Sequence, residues 1–341
     1  MKAVVAHAAR DLRIEERPDP GPPGPGEVRV RVATGGICGS DLHYFDHGGF
    51  GQVRLREPMI LGHEVAGHIE AVGEGVSIPR GMLVAVSPSR PCRDCPECLR
   101  GLPNHCAAMR FYGSAMPFPH VQGAFREVLL ADEAQCAVAT SLSPAEAAMA
   151  EPLAVALHAV RRAGDLVGRA VLVTGCGPIG VLAILAARRA GAGLVVATDL
   201  SEFCLDMARH AGADVALEAG DPKLAEYRAG KGTFDAAFEC SGSASALGAA
   251  VAALRPRGVL VQLGLGGDMH VPMQSITAKE IDLRGSFRFG EEFAAGVGLM
   301  RRGLIDVAPL VTRSFAAADA VAAFETAGDR TRSMKTQITF G

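Results

Sequence analysis

The chain has 341 residues, 49% of them hydrophobic, which is enough for about two domains, each burying a core of its own, with a cleft between them. Its 34 Lys and Arg against 37 Asp and Glu leave a net charge of −3, so it offers no basic footprint for nucleic acid or an anionic membrane. The opening MKAVVAHAARDLRIEE is too short an apolar run for a signal peptide, and no later stretch reaches the roughly 18 apolar residues of a membrane span; the expectation is a cytoplasmic protein with no membrane or nucleic-acid partner.

Up to about residue 150, short β-branched runs such as EVRVRVA (27–33) and MLVAVSP (82–88) alternate with Gly and Pro clusters, the texture of an irregular, mostly β domain. GGICGSDLHYF (35–45) and ILGHEVAGHIEAVG (60–73) carry Cys38, His63 and Glu64. From residue type alone, Cys38 reads as a buried small hydrophobe and His63 as a hydrogen-bonded core histidine. RPCRDCPECLRGLPNHC (90–106) then sets Cys92, Cys95, Cys98 and Cys106 in the pattern C-x2-C-x2-C-x7-C. An odd total of nine cysteines without a mark of secretion points to metal ligands or inert thiols rather than disulfides. An iron–sulfur cluster would space the last cysteine differently, and a nucleic-acid finger would want basic surroundings. Four soft thiolates on a Pro- and Gly-broken loop suit a closed, tetrahedral structural zinc, a feature of stability rather than of function.

From about residue 152 the texture changes. RAVLVTG (169–175) reads as a strand, GVLAILAARRAGA (180–192) as an amphipathic helix and LVVATD (194–199) as a second strand. The alternation continues through FDAAFECSG (234–242) and GVLVQLGLGG (258–267), predicting an α/β domain with a doubly wound parallel sheet. Gly175, Gly177 and Gly180 form G-x-G-x-x-G after a strand and at a helix start, where the chain can turn tightly and offer a helix N-terminus to a pyrophosphate. Pro178, Ile179, Leu200 and Leu263 are candidate neighbours of the same coenzyme. Asp199, 19 residues past Gly180, ends the second strand and is suited to hold an adenosine ribose diol. No arginine follows it in DLSEFCLD, which favours NAD over NADP. The last strand, TQITF (336–340), is expected to return to the first domain.

Taken together, GHEVAGHIEAVG, CGSDLH, the four-cysteine segment and VTGCGPIG resemble, in that order, the zinc-dependent medium-chain dehydrogenase/reductase superfamily. The resemblance spans nearly the whole chain. It implies a GroES-like catalytic domain over 1–151 with a structural-zinc lobe, a Rossmann NAD-binding domain over 152–286, a return to the catalytic domain over 287–341, and a homotetramer. It also implies a catalytic zinc on Cys38, His63 and Glu64, with Glu151 binding it directly or through water, and a proton relay through Ser40 and His43. EPL, DLS and FRF are similar to the polyol branch, while MRFYGSAMPFPHVQGAF (109–125) and LRGSFRFG (283–290) are similar to its sugar-acid enzymes. The implied reaction is oxidation of a secondary alcohol of a sugar acid such as L-idonate, with Tyr44, Arg110 and Arg288 as substrate candidates. Sorbitol, xylitol or L-threonine oxidation is the alternative among enzymes, and a catalytically idle NAD-binding protein the alternative of another class. Two positions depart from the sorbitol enzymes: Cys204 stands for an arginine near the ribose acid, and Phe289 for a tyrosine beside Arg288.

Overall fold

A computed structural model describes all 341 residues, which divide into two compact units. The first comprises Met1–Glu151, Phe293–Asp329 and Lys335–Gly341; the second comprises Pro152–Glu292 and Arg330–Met334. The chain thus re-enters the first unit at Phe293 rather than at 287, and Arg330–Met334 is an excursion back to the second unit. The physical reason at 287–292 is a tether within the second unit: Glu292 accepts from Gly290 N at 2.7 Å and from Arg161 Nη1 at 3.0 Å.

The first unit is built on a seven-stranded sheet. Its path runs Cys136–Val138, Leu83–Val86, Glu64–Val72, Glu27–Gly36, Lys335–Thr339, Val311–Ala316, with Val128–Asp132 also paired to Glu27–Gly36. Glu27–Gly36 shows why: Val28, Val30 and Val32 alternate inward and are buried, while Arg29 and Arg31 point out to Glu70. TQITF returns here as expected, antiparallel to residues 34–36. The core under the sheet gathers Phe45, Phe125, Phe324 and Phe340, with Phe45 and Phe324 meeting edge-on at 5.3 Å.

The second unit has a six-stranded, all-parallel sheet ordered Val215–Glu218, Leu194–Asp199, Ala170–Thr174, Phe234–Glu239, Leu254–Gln262, Asp282–Gly285. Counted along the chain this is 3-2-1-4-5-6, so the order reverses between Ala170–Thr174 and Phe234–Glu239, the place where such sheets receive dinucleotides. The fully buried Val171, Val173, Val195 and Val196 explain the continuous apolar strands that the sequence displays. No helix in either unit is long and apolar enough to cross a membrane.

Candidate metal and coenzyme sites

Cys38, His63 and Glu64 come together in the first unit, one ligand atom of each lying within 4.8 Å of the others. Cys38 caps the helix Gly39–His47, and His63 and Glu64 stand at the start of the strand Glu64–Val72. Asp41, which the sequence reading passed over, ties the two segments together. Its Oδ2 accepts from Cys38 N and its Oδ1 from Gly62 N, both at 3.0 Å, inside a fully buried pocket. The signal was local: an acid three residues into a helix is a capping residue.

The electrostatics are those of an ion site. Burial lowers the His63 pKa, but the charges of Asp41, Cys38 and Glu151 outweigh it and hold the imidazole well above its ordinary value. His63 Nδ1 is buried without a hydrogen-bond partner, 3.7 Å from Asp41 Oδ1. A thiol, an imidazole and a carboxylate that converge this closely, with a buried ring nitrogen unsatisfied, fit a divalent metal of zinc's ligand preferences. Glu151 lies outside the tight trio. Burial and the charge of Glu64 push its pKa up to about 7 against the pull of His63, so it can hold or release a proton near neutral pH.

Lys335 is the second residue that sequence reasoning missed. Its ammonium, almost fully buried, donates to Glu64 Oε1 at 2.8 Å, Glu64 Oε2 at 2.7 Å and Ile37 O at 3.2 Å. A separation of 271 residues leaves no local trace of this pair.

The other expected residues of the first unit fall in different places. Ser40 and His43 lie half-buried on the helix Gly39–His47, the His43 ring 5.8 Å from that of Phe50. Tyr44, expected at the substrate, is 2% exposed in the core and its hydroxyl accepts from Ala115 N at 3.0 Å. Arg110, also expected there, is instead exposed beside Arg90, Cys92 and Asp132, lining a cavity of 570 Å³ at the four-cysteine segment. Strand alternation is the reason: it is Phe111 whose ring approaches that of His63, at 5.5 Å, and Arg110 points the other way. His120, which received no role, is a buried structural residue: its Nε2 accepts from Arg56 N and its Nδ1 bonds Pro117 O, both at 2.9 Å, which ties its loop to the segment at Arg56.

Cys92, Cys95, Cys98 and Cys106 form the second cluster, their sulfurs likewise within 4.8 Å of one another. Backbone N–H groups of Cys98 and Ala107 hold the Cys95 thiol down to about 6, while the hydrogen bond to Asp94 pushes Cys92 up to about 12. Four thiols crowded in this way, with Cys106 Sγ 3.3 Å from Cys92 Sγ, fit a tetrahedral thiolate site.

In the second unit, Gly175 takes a left-handed φ of 85° at the end of Ala170–Thr174, and Gly177 caps the helix Pro178–Arg189. Any Cβ on Gly180 would overlap the Gly175 carbonyl, so strand and helix approach as closely as the pattern requires. Asp199 ends Leu194–Asp199, accepting from Cys176 N at 2.6 Å and Ser201 N at 2.9 Å. It lines a cavity of 520 Å³ together with Gly175, Ser241 and an 81% exposed Leu200. Arg228 lines the same cavity, a cation that the segment after Asp199 did not reveal. Leu263 N donates to the carbonyl of Glu239 at 2.9 Å. The Glu239 carboxylate, fully buried, accepts from Gly242 N at 3.0 Å, Ser241 N at 2.8 Å and Gln262 Nε2 at 2.5 Å, and so binds together the loops at the sheet's switch point. Arg288 has a left-handed φ of 56° and stacks its guanidinium 4.8 Å over Phe287; Phe289 is buried. Cys204 is buried with its sulfur 3.5 Å from Arg330 O.

The alcohol dehydrogenase GroES-like domain family matches residues 24–141, and the zinc-binding dehydrogenase family matches residues 178–302. Among curated relatives, L-idonate 5-dehydrogenase (NAD(P)(+)) of Escherichia coli K12 is 41% identical over 313 residues, 91% of each chain. Human sorbitol dehydrogenase is 36% identical over 332 residues, 95% of this chain and 92% of the relative. The crystal structure of L-idonate 5-dehydrogenase from E. coli K-12 superposes with a TM-score of 0.96 at 38% identity, covering 99% of this chain and 98% of that one.

Proposed function

The chain belongs to the zinc-binding, GroES-like alcohol dehydrogenases, in their polyol and sugar-acid branch, and on that premise we propose that it oxidises the C5 alcohol of L-idonate reversibly to 5-keto-D-gluconate, with NAD accepting the hydride. The observation that carries the reading is the convergence of Cys38, His63 and Glu64 in a chain that also keeps the whole dinucleotide turn. Zinc at that trio supplies a Lewis acid that makes a substrate hydroxyl easier to deprotonate. Asp41 orients the segments bearing Cys38 and His63. Ser40 and His43, one turn apart on the helix Gly39–His47, would take the hydroxyl proton and pass it toward solvent, and Glu151 stands ready as an acid or base near neutral pH. Asp199 holds the adenosine ribose diol and Leu200 offers an apolar face to the base. The four cysteines hold a second zinc that stabilises their segment.

NAD is the preferred coenzyme because Asp199 repels a 2′-phosphate; Arg228 is the cation available to that phosphate, and Arg228→Ala should widen the preference. The sugar-acid reading adds one requirement, since a carboxylate removed from water needs a cation or several donors. Arg288 fills that role, its guanidinium already oriented by Phe287. The test is kcat/KM for L-idonate, sorbitol, xylitol and L-threonine in wild type and Arg288→Leu. Idonate should lead in wild type, and the lead should shrink in the variant. Sorbitol equal to or ahead of idonate in wild type would remove the sugar-acid assignment and leave a polyol dehydrogenase.

A further inference from the structure

We infer that Glu239 is a fixed buried anion that makes the coenzyme site prefer oxidised over reduced coenzyme. This rests on the proposed NAD reading of the Gly175–Gly180 turn and deepens it.

Glu239 is 0% exposed, and both of its oxygens accept from N–H donors. Ser241 N donates to Oε1 at 2.8 Å, Gly242 N lies 3.1 Å from Oε1 and 3.0 Å from Oε2, Gln262 Nε2 donates to Oε2 at 2.5 Å, and the Ser241 hydroxyl donates to Oε1. A carboxyl group met by donors on both oxygens has no acceptor for a proton of its own, so it is held as the carboxylate. The orientation of the Gln262 amide is fixed, because the same Nε2 also donates to Gly264 O at 2.9 Å. Every one of these partners is neutral, and the N-terminus of the helix Ala244–Ala253 brings only about half a positive charge. The loop is closed tightly around the group: a Cβ on Gly264 would come within 2.0 Å of Gly242 N and 2.7 Å of Glu239 Oε2. The result is a desolvated negative charge whose hydrogen-bond partners are all neutral, an arrangement that costs stability.

Its position supplies a function. The sheet order reverses between Ala170–Thr174 and Phe234–Glu239, and a dinucleotide divides at such a reversal. Asp199, on the Leu194–Asp199 side, marks the adenosine half, so the nicotinamide half falls to the side of Phe234–Glu239 and Leu254–Gln262, the strands that end in Glu239 and Gln262. The loop that the carboxylate holds also abuts the dinucleotide turn, because a Cβ on Gly175 would meet Ser241 N at 2.8 Å. Oxidised and reduced coenzyme share the pyrophosphate and both riboses and differ by one positive charge, on the nicotinamide ring. A fixed anion therefore attracts the oxidised form more than the reduced one, and low-dielectric surroundings carry its field further than water would. The site is thereby tilted to take up NAD+ and to give up NADH, the direction of alcohol oxidation.

The test titrates the full zinc-loaded chain with NAD+ by calorimetry and with NADH by fluorescence, and reads the ratio Kd(NAD+)/Kd(NADH). Glu239→Gln removes the charge and keeps an acceptor for Ser241 N; the ratio should rise about tenfold, which for a two-electron couple raises the potential of the bound coenzyme by about 30 mV. Loosening of the loop weakens both forms alike and cancels in the ratio. Glu239→Asp keeps the charge, and its ratio should stay within about twofold of wild type although both forms bind less tightly. Should Glu239→Gln not fold, Gln262→Lys sets an ammonium against the same carboxylate and carries the same expectation. A ratio that falls or stays within about twofold of wild type in the neutralised variant, or an equal rise in Glu239→Asp, overturns the inference. A wild type that binds neither form overturns the NAD reading itself, and the inference with it.

Discussion

Gly36→Ala presses chiefly on the Glu64 carboxylate, with Lys335 Cδ the next side-chain atom it crowds. Gly36 ends the strand Glu27–Gly36 and needs no left-handed φ, so alanine is conformationally acceptable there and the backbone contributes little to the effect. The new methyl would overlap Glu64 Oε2, and restoring van der Waals contact requires the carboxylate to retreat by about 1 Å. Retreat breaks one of two charge-assisted hydrogen bonds to Lys335, a loss of about 1.5–3 kcal/mol, and carries a proposed metal ligand out of place. A misplacement of about 1 Å can cost on the order of 100-fold in rate. The assays are thermal unfolding, zinc per chain by elemental analysis, and kcat/KM with NAD. The expected result is a modest fall in Tm, partial loss of the zinc at Cys38, and a loss of rate of about that size. A variant with two full zinc equivalents and a rate within about twofold of wild type would refute the claim that Glu64 is held in a functional position.

Three further outcomes follow from other parts of the chain. Gly180→Ala pushes a methyl against the Gly175 carbonyl, a backbone atom that cannot yield, and should abolish NADH binding measured by fluorescence; near-normal binding would contradict the close strand–helix approach. Cys95→Ser should lower Tm and release one zinc while kcat per remaining folded chain changes little, checked by calorimetry alongside elemental analysis. Glu292 is held at about 2 although burial alone would raise it, because His158, the Gly290 N–H and Arg161 donate to it. Its folded pKa lies below the ordinary 4.5, so its contribution is present above about pH 4.5 and is lost as the pH falls through about 2. After discounting for the exposed Arg161, that contribution is about 1–3 kcal/mol, and Glu292→Gln should flatten the acid limb of stability against pH by this much.

What could be read from the sequence was what is local. Gly175, Gly177, Gly180 and Asp199 are spaced along one strand–helix–strand unit, and the four cysteines along one loop, so their spacing alone carries the geometry. Cys38 and His63 are 25 residues apart and became a pair only through a family resemblance; in space the link is Asp41, whose bond to Cys38 N follows from its place in the helix's first turn but whose bond to Gly62 N no local pattern announces. Lys335 lies on a returning strand whose presence was legible but whose partner was not, because register across a sheet is decided by packing. Arg110 and Phe111 show the opposite limit: the segment lies near the metal trio, but one step along a strand decides which side chain faces it. The excursion of Arg330–Met334 into the second unit left no compositional mark, and it is held by contacts such as Ser201 Oγ to Arg330 O at 3.0 Å.

The central claim is that a hydride leaves a secondary carbinol of a sugar acid for NAD. Incubating the zinc-loaded chain with NAD and L-idonate deuterated at C5, followed by mass spectrometry of the reduced coenzyme, tests it in one step. The account predicts reduced coenzyme carrying one deuteron and 5-keto-D-gluconate in equal amount, with no deuterium lost to water. Reduced coenzyme without the label, or no reduction at all by a chain holding both zinc ions, would contradict it.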